Sequence, residues 1–367
     1  MNGEGAEGRS SDSLESFHRS TDVEQMGVRV NTRLRIGYAI LASLVIVTFA
    51  LSATYSARPI SYYFDPHGTQ LMLICWLLPL PVWVMLLALR LARRGANHPS
   101  RTIFRMAKLH RHWLMRGLAL TALALPLGRA FSAFKASIPR HTVYWADPVL
   151  ANFERNLLSE DAWRFTHSLI GPVGTIWVDR AYLLWFFGLM LTIGWLNLTK
   201  DRRFQLRGLI SYISIWVGLG MIGALAFASA GPCFYDHFHG GTRFAPLMTS
   251  LEEAHRIAPL TAIHEMRWLL FKYETIEFGS GISAMPSMHV AVAWLIVLLC
   301  HFRFGLKWPT WIAAIFAGMV LFGSVHLGWH YVSDGLISII ATSLIWRTTK
   351  FVNKPIVPSR IRSLPGK

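Results

Sequence analysis

Two histidine-bearing clusters in the last quarter of the chain hold the side chains best suited to chemistry. The first is Pro286-Ser287-Met288-His289, at the head of an apolar run. The second runs from His326 through His330 and Tyr331 to Asp334, at the head of the last apolar run. Asp334 is the only carboxylate after Glu277, and an acid placed there is costly near a membrane. On a helix, His330 and Asp334 share one face, a turn apart. The acid would then hold the imidazole in one tautomer and raise its nucleophilicity. Pro286 suits a helix's first turn, where free backbone N–H groups and the helix dipole favour an anion. Ser287 adds a hydroxyl, and His289 is able to protonate a leaving oxygen. Histidines facing each other across a phosphate predict in-line displacement, His330 attacking phosphorus and His289 acting as acid. The phosphohistidine would be resolved by water or by another alcohol. This chemistry calls for no metal and no cofactor. Each group also has a structural reading: a capping pair for His330 and Asp334, a helix cap for Ser287, and packing for His326.

The elements that must position these groups are apolar helices. The chain has 367 residues, 53% hydrophobic and 15% charged, against roughly 25% charged in soluble domains. Apolar runs of about 20 residues recur, each long enough to cross a hydrocarbon core. The fold class is all-α integral membrane. Eight spans are predicted, at 34–56, 70–92, 113–131, 181–199, 208–230, 287–302, 308–327 and 331–347. Residues 1–33 read as a disordered cytoplasmic tail, 34–112 as two N-terminal helices with a basic loop, and 351–367 as a basic tail. Polar stretches at 132–177 and 231–285 would shape the site.

The net charge of +16 reflects short basic loops, with no basic stripe interleaved with aromatics, so nucleic-acid binding is not indicated. Arg93, Arg94, Arg101, Arg105, Lys108 and Arg111 fall between spans two and three. Lys200, Arg202, Arg203 and Arg207 fall between four and five, and Arg303 and Lys307 between six and seven. With eight spans all lie on one side, so both termini are predicted to be cytoplasmic. The same parity brings His289 and His330 together at the outer face, the periplasmic face if the membrane is a bacterial inner membrane. The three cysteines, Cys75, Cys233 and Cys300, form no Cys-x-x-Cys and indicate neither a zinc knuckle nor a disulfide framework. Asp236-His237-Phe238-His239 is a weak metal signal, and His264-Glu265 lacks the second histidine of a zinc-protease helix, Trp268 standing there.

Pro-Ser-x-His followed by His-x-x-x-Asp, each opening a span, resembles the type 2 phosphatidic-acid phosphatase superfamily. The form His330-Tyr331-x-x-Asp334, with Ala230-Gly231-Pro232-Cys233-Phe234-Tyr235 after an earlier span, is similar to the inositol phosphorylceramide synthase-like branch. The resemblance covers residues 113–350 and implies a six-helix phosphatase or phosphotransferase domain. It implies His330 as nucleophile, Asp334 as its partner, His289 as general acid and Ser287 as phosphate ligand, with Tyr235 in the substrate-binding set. The chain departs from the phosphatase pattern. The only Arg-Pro is Arg58-Pro59, with Leu51 at the lysine position of Lys-x6-Arg-Pro; Ser324 replaces an arginine, and Met288 replaces a glycine. A bound phosphate still needs cations, and Arg243, Lys272 and Arg129 are the candidates.

The expected function is therefore a metal-independent membrane hydrolase or transferase of phospholipid or sphingolipid metabolism. Its substrate is a lipid phosphate entering from the bilayer, and the acceptor is water or a lipid alcohol; an inositolphosphotransferase would carry an inositol phosphate headgroup. The alternatives are a catalytically silent lipid-phosphate-binding or transport protein, and a proton relay in a transporter.

Overall fold

The computed structural model describes residues 7–65 and 79–352, with side chains described from residue 32 onward apart from 79–83 and 86. Every regular element among the described residues is helical. Those of eight or more residues are α1 (Glu7–Ser56), α2 (Pro79–Arg93), α3 (Pro99–Leu109), α4 (Arg111–Ser137), α5 (Ala146–Leu158), α6 (Ala162–Leu169), α7 (Pro172–Tyr182), α8 (Leu184–Leu198), α9 (Arg202–Val217), α10 (Pro232–His239), α11 (Ala245–Ile257), α12 (Thr261–Phe271), α13 (Met288–Phe304), α14 (Trp308–His326) and α15 (Val332–Thr348). The all-α membrane class is as expected, but the described residues do not show eight full spans. Among the described residues five segments are both long and apolar enough to cross a bilayer: Thr32–Ser56, Arg111–Arg140, Pro172–Leu198, Arg202–Ala226 and Trp308–His326. α13 is apolar but shorter, with 17 residues, and α15 also has 17. At 1.5 Å per residue each reaches about 25 Å, just short of a hydrocarbon core of about 30 Å. Part of the predicted span 70–92 and most of the tail 351–367 lie outside the described residues.

Helical backbone begins at Glu7, inside the stretch read from sequence as a tail. Extending an existing helix costs far less than nucleating one, so the apolar run from Leu34 can carry the helix upstream. α1 packs along α4 and α9. Leu34, Ile40, Leu41 and Leu44 meet Leu206 and Ile210, and the Ser52 hydroxyl donates to the Ala130 carbonyl at 2.7 Å. The first span is thus part of the bundle wall.

The core that carries the site is the hairpin of α13 and α14 with α15 against α13. Val290, Val292, Ala293, Ala313, Ala317 and Val320 are buried in it. α8 and α9 close the other flank of α13. After α9 the backbone passes through a π-helical stretch, Gly218–Gly223, whose glycines admit close neighbours. A Cβ on Gly220 would meet the Met288 sulfur at 3.0 Å, and one on Gly223 would meet Pro286 at 3.2 Å. The wider π turn and its missing side chains let this helix lie against the start of α13. The two stretches expected as loops fold into short helices, α5 to α6 and α10 to α12, seated over one end of the bundle.

Candidate functional site

His289 is the second residue of α13, in its first turn. The Ser287 hydroxyl caps that helix, accepting the Val290 N–H at 3.4 Å, and Ser287 is fully buried. The His289 ring lies between two aromatics, with ring centroids 5.2 Å from Tyr182 and 4.3 Å from Trp185. The Trp185 indole N–H donates to the His289 carbonyl at 3.0 Å. Two residues at the α7–α8 junction thereby fix both the backbone and the ring of His289.

His330 sits on the turn between α14 and α15. The Ser324 carbonyl accepts the N–H groups of Trp329 (2.9 Å) and His330 (3.1 Å), and so closes the turn. Gly328 takes a φ of +75° there, a conformation that favours glycine. Asp334 is fully buried in the first turn of α15, and its Oδ2 accepts the Tyr331 N–H at 3.1 Å. The same oxygen lies 3.4 Å from His330 Nδ1. That is an ion-pair distance, although neither His330 Nδ1 nor Asp334 Oδ1 makes an aligned hydrogen bond with a described residue. The opposite ring nitrogen, His330 Nε2, is 3.5 Å from His289 Nδ1. Three residues singled out from sequence thus form one chain, Asp334–His330–His289, joining two helix starts whose histidines are 41 positions apart.

The segment Ala230–Tyr235 is drawn to the same place. The Cys233 N–H donates to the Gly328 carbonyl at 2.9 Å. A Cβ on Gly231, whose φ is +95°, would meet the Trp329 carbonyl oxygen at 2.5 Å. The glycine is therefore required by the close approach of this backbone to the residue before His330. Tyr235 itself packs on His239 and Phe244, with centroids 4.9 and 5.1 Å away, and the Arg243 guanidinium stands over its ring.

The three expected phosphate cations are engaged elsewhere. Arg243 donates to Asp161 at 2.6 and 3.2 Å, to Asn152 at 2.7 Å and to the Ala151 carbonyl at 2.7 Å. Burial opposes its charge, but the Asp161 carboxylate more than offsets this and raises its pKa. Lys272 pairs with Glu277 at 2.9 Å. Arg129 donates to the Asp65 carbonyl at 2.7 Å and stacks over Tyr62. Among the described residues, the cation near the histidines is Lys135, on the last turn of α4. It lies close enough to His289 for their charges to interact, and Gly281 packs on its stem, where a Cβ would meet Lys135 Cγ at 2.7 Å. Its ammonium makes no hydrogen bond or ion pair with a described residue.

Two buried acids complete the frame. Asp147, fully buried, accepts from the Ser229 hydroxyl (2.6 Å) and from the N–H groups of Ala230 (2.8 Å) and Gly231 (3.0 Å). His239 Nε2 lies 3.3 Å from it. Glu154 accepts both the N–H (2.7 Å) and the hydroxyl (2.9 Å) of Ser333, next to Asp334. Burial holds the Glu154 carboxyl above the usual range, the Ser333 hydrogen bonds oppose this, and the Asp334 charge adds to it. Glu154, Pro232, His330 and Tyr331 line a small cavity of about 10 Å³, room for about one water molecule. Sequence reading missed Lys135, Asp147 and Glu154. The two acids have partners far along the chain, 82 to 84 residues away for Asp147 and 179 for Glu154, and Lys135 belongs to no motif. The available signal was the spacing of the two acids, seven residues apart and so on one face of α5.

Among the described residues no cluster of three or more histidines, cysteines or acids stands ready to hold a metal ion. No curated protein and no solved structure matches the chain. The sequence model of the PAP2 superfamily matches residues 150–348, from inside α5 to the end of α15. That stretch contains Glu154, the Ala230–Tyr235 segment and both histidine clusters, and leaves α1 to α4 outside. It spans more than half the chain, and the chain belongs to the PAP2 superfamily, which places it among phosphatase-type lipid phosphoesterases.

Proposed function

We propose that the protein cleaves a lipid phosphoester through a phosphohistidine on His330, without a metal. The observation that carries the proposal is the chain Asp334–His330–His289, with spacings of 3.4 and 3.5 Å. Asp334 faces Nδ1, so the proton of neutral His330 belongs on Nδ1 and the lone pair on Nε2. Nε2 attacks phosphorus as the P–O bond to the leaving alcohol breaks, and protonated His289 gives its proton to that oxygen. Asp334 offsets the positive charge that develops on the His330 ring. His289, now neutral, takes a proton from the incoming water or alcohol, whose oxygen attacks phosphorus and breaks the N–P bond. His330 then returns to its starting form. Ser287 and the first N–H groups of α13 face the phosphate oxygens, and Lys135 offsets their charge.

In the described state the two imidazoles are 3.5 Å apart. An in-line phosphate between them needs roughly 6–7 Å, two reacting contacts of about 3 Å each. Substrate therefore has to part the histidines on entry.

Arg116 at the start of α4 and Lys200 and Arg202 of the α8–α9 connection stand together at the bundle end away from the histidines. This supports cytoplasmic termini and a site on the outer face. A second reading, transfer of a headgroup such as inositol phosphate to a lipid alcohol, is favoured by the Ala230–Tyr235 segment. It packs directly on the backbone beside His330, where it would help select the acceptor. Purified protein offered phosphatidic acid, and separately phosphatidylinositol with ceramide or diacylglycerol, distinguishes the two by mass spectrometry. Free phosphate from the first means hydrolysis, and a new headgroup-bearing lipid from the second means transfer. Neither product, with lipid demonstrably bound, overturns both readings.

A further inference from the structure

A second polar cavity lies at the other end of the bundle, lined by His110, His112, Trp113, Arg116, Lys200 and Arg202, with a volume of about 380 Å³. We propose that it holds the phosphate headgroup of an anionic phospholipid, bound as a ligand and not as a substrate. The site goes beyond the reaction proposed above and does not depend on it.

Its distance from the histidines follows from α4. Trp113 and Arg116 stand on the first turns of that helix, and Lys135 stands near its end. At 1.5 Å per residue, the cavity and the His289 region are about 30 Å apart along one helix. α8 and α9 repeat the arrangement. Trp185, at the start of α8, touches His289, and Leu198 ends that helix beside the cavity. Arg202 opens α9, whose continuation reaches Pro286. In a bilayer these two ends meet opposite surfaces.

The lining is cationic and incompletely satisfied. Arg116 reaches the Thr199 carbonyl only at 3.5 Å, and its Nε is buried without a partner among the described residues, as is the Trp113 indole N–H. The Lys200 ammonium stands over the Trp113 ring, 5.6 Å from its centroid. Asp201, the neighbouring acid, is turned away: its Oδ1 accepts the N–H groups of Arg203 and Phe204, and its Oδ2 lies 3.7 Å from Arg303. Buried donors with no acceptor call for an anion with several oxygens. A lipid is a better fit than a soluble anion because the adjoining turns present apolar side chains outward. Met115 is 65% exposed, Leu118 59% and Leu198 37%, a surface suited to acyl chains. Basic pockets between helices at a membrane surface bind such headgroups by charge.

The test uses the purified full-length protein, native mass spectrometry and two probes, phosphatidylglycerol and phosphatidylcholine. Wild type should retain phosphatidylglycerol under activation that strips phosphatidylcholine, and retention should fall with added salt. Lys200→Gln with Arg202→Gln should weaken retention. Adding Arg116→Gln should weaken it further, to a total on the order of 100-fold for three lost charges. The doubly substituted protein changes only exposed side chains, so it decides the question if the triple variant fails to fold. Equal retention by wild type and the double variant would overturn the proposal, as would equal retention of the two lipids. Competition by glycerol phosphate as strong as by phosphatidylglycerol would overturn the lipid assignment.

Discussion

Replacing Asp334 by asparagine separates the charge of this group from its shape. Asparagine is well tolerated at a helix start, so the contact with the Tyr331 N–H, 3.1 Å in the wild type, survives. What disappears is a carboxylate 3.4 Å from His330 Nδ1, on a residue with no exposure. At an effective dielectric constant of about 20, opposite unit charges at that spacing attract by about 5 kcal/mol. Part of this is recovered by the amide dipole, leaving about 3–4 kcal/mol that acts only when His330 becomes positive in the transition state. The expected result is a 10²- to 10³-fold loss in kcat at about 1.4 kcal/mol per tenfold, with KM little changed. The assay is phosphate or product lipid release from mixed micelles, with denaturant unfolding run in parallel. A variant within about threefold of wild type, equally stable, would refute the orienting role of Asp334.

Four further outcomes follow from the same geometry. His289→Ala should cost about 10²-fold or more with a natural lipid, and far less with an aryl phosphate whose leaving group needs no proton; equal losses on both substrates would remove the acid role. Lys135→Gln should raise KM and lower kcat/KM on the order of 100-fold, with partial rescue by arginine, whereas Lys272→Gln should leave both near wild type. Asp147→Ala strands three buried donors held at 2.6 to 3.0 Å and should lower stability by about 3 kcal/mol or more, read by denaturant titration. Glu154 is held above its unfolded pKa, so it binds its proton more tightly when folded. Its contribution is complete below the unfolded pKa and is lost as pH rises through the folded one; Glu154→Gln should remove that fall from the stability profile, and an unchanged profile would contradict the assignment.

The local motifs are legible in the sequence because their chemistry is local. His330 and Asp334 are four residues apart, and although the structure places His330 on the turn just before α15 rather than on the helix expected, Asp334 in the first turn still faces it. Ser287 to His289 lies at a helix start marked by Pro286. Both clusters fall at the helix starts expected of them. The meeting of His289 with His330 follows from span parity alone, since a hairpin crossing twice returns to the same surface. The count of eight spans is less legible, because α13 and α15 are shorter than a full crossing and their ends are set by packing. The cations are hidden for a related reason. Arg243, Lys272 and Arg129 look free in sequence, yet Asp161, Glu277 and Asp65 lie close to them in the fold. Lys135 carries no motif and is distinguished by having no partner among the described residues. Asp147 and Glu154 belong to no motif, and only the packing of α5 over the bundle end buries them.

A covalent adduct on one nitrogen stands at the centre of this mechanism. Rapid quench of the protein with its lipid substrate, followed by peptide mass spectrometry at neutral to alkaline pH, measures it directly. A phosphoryl or headgroup-phosphoryl mass is expected on the peptide containing His330, absent in His330→Ala and accumulating in His289→Ala with an aryl phosphate. Turnover at wild-type rate with no adduct, or an adduct that persists in His330→Ala, would contradict the mechanism.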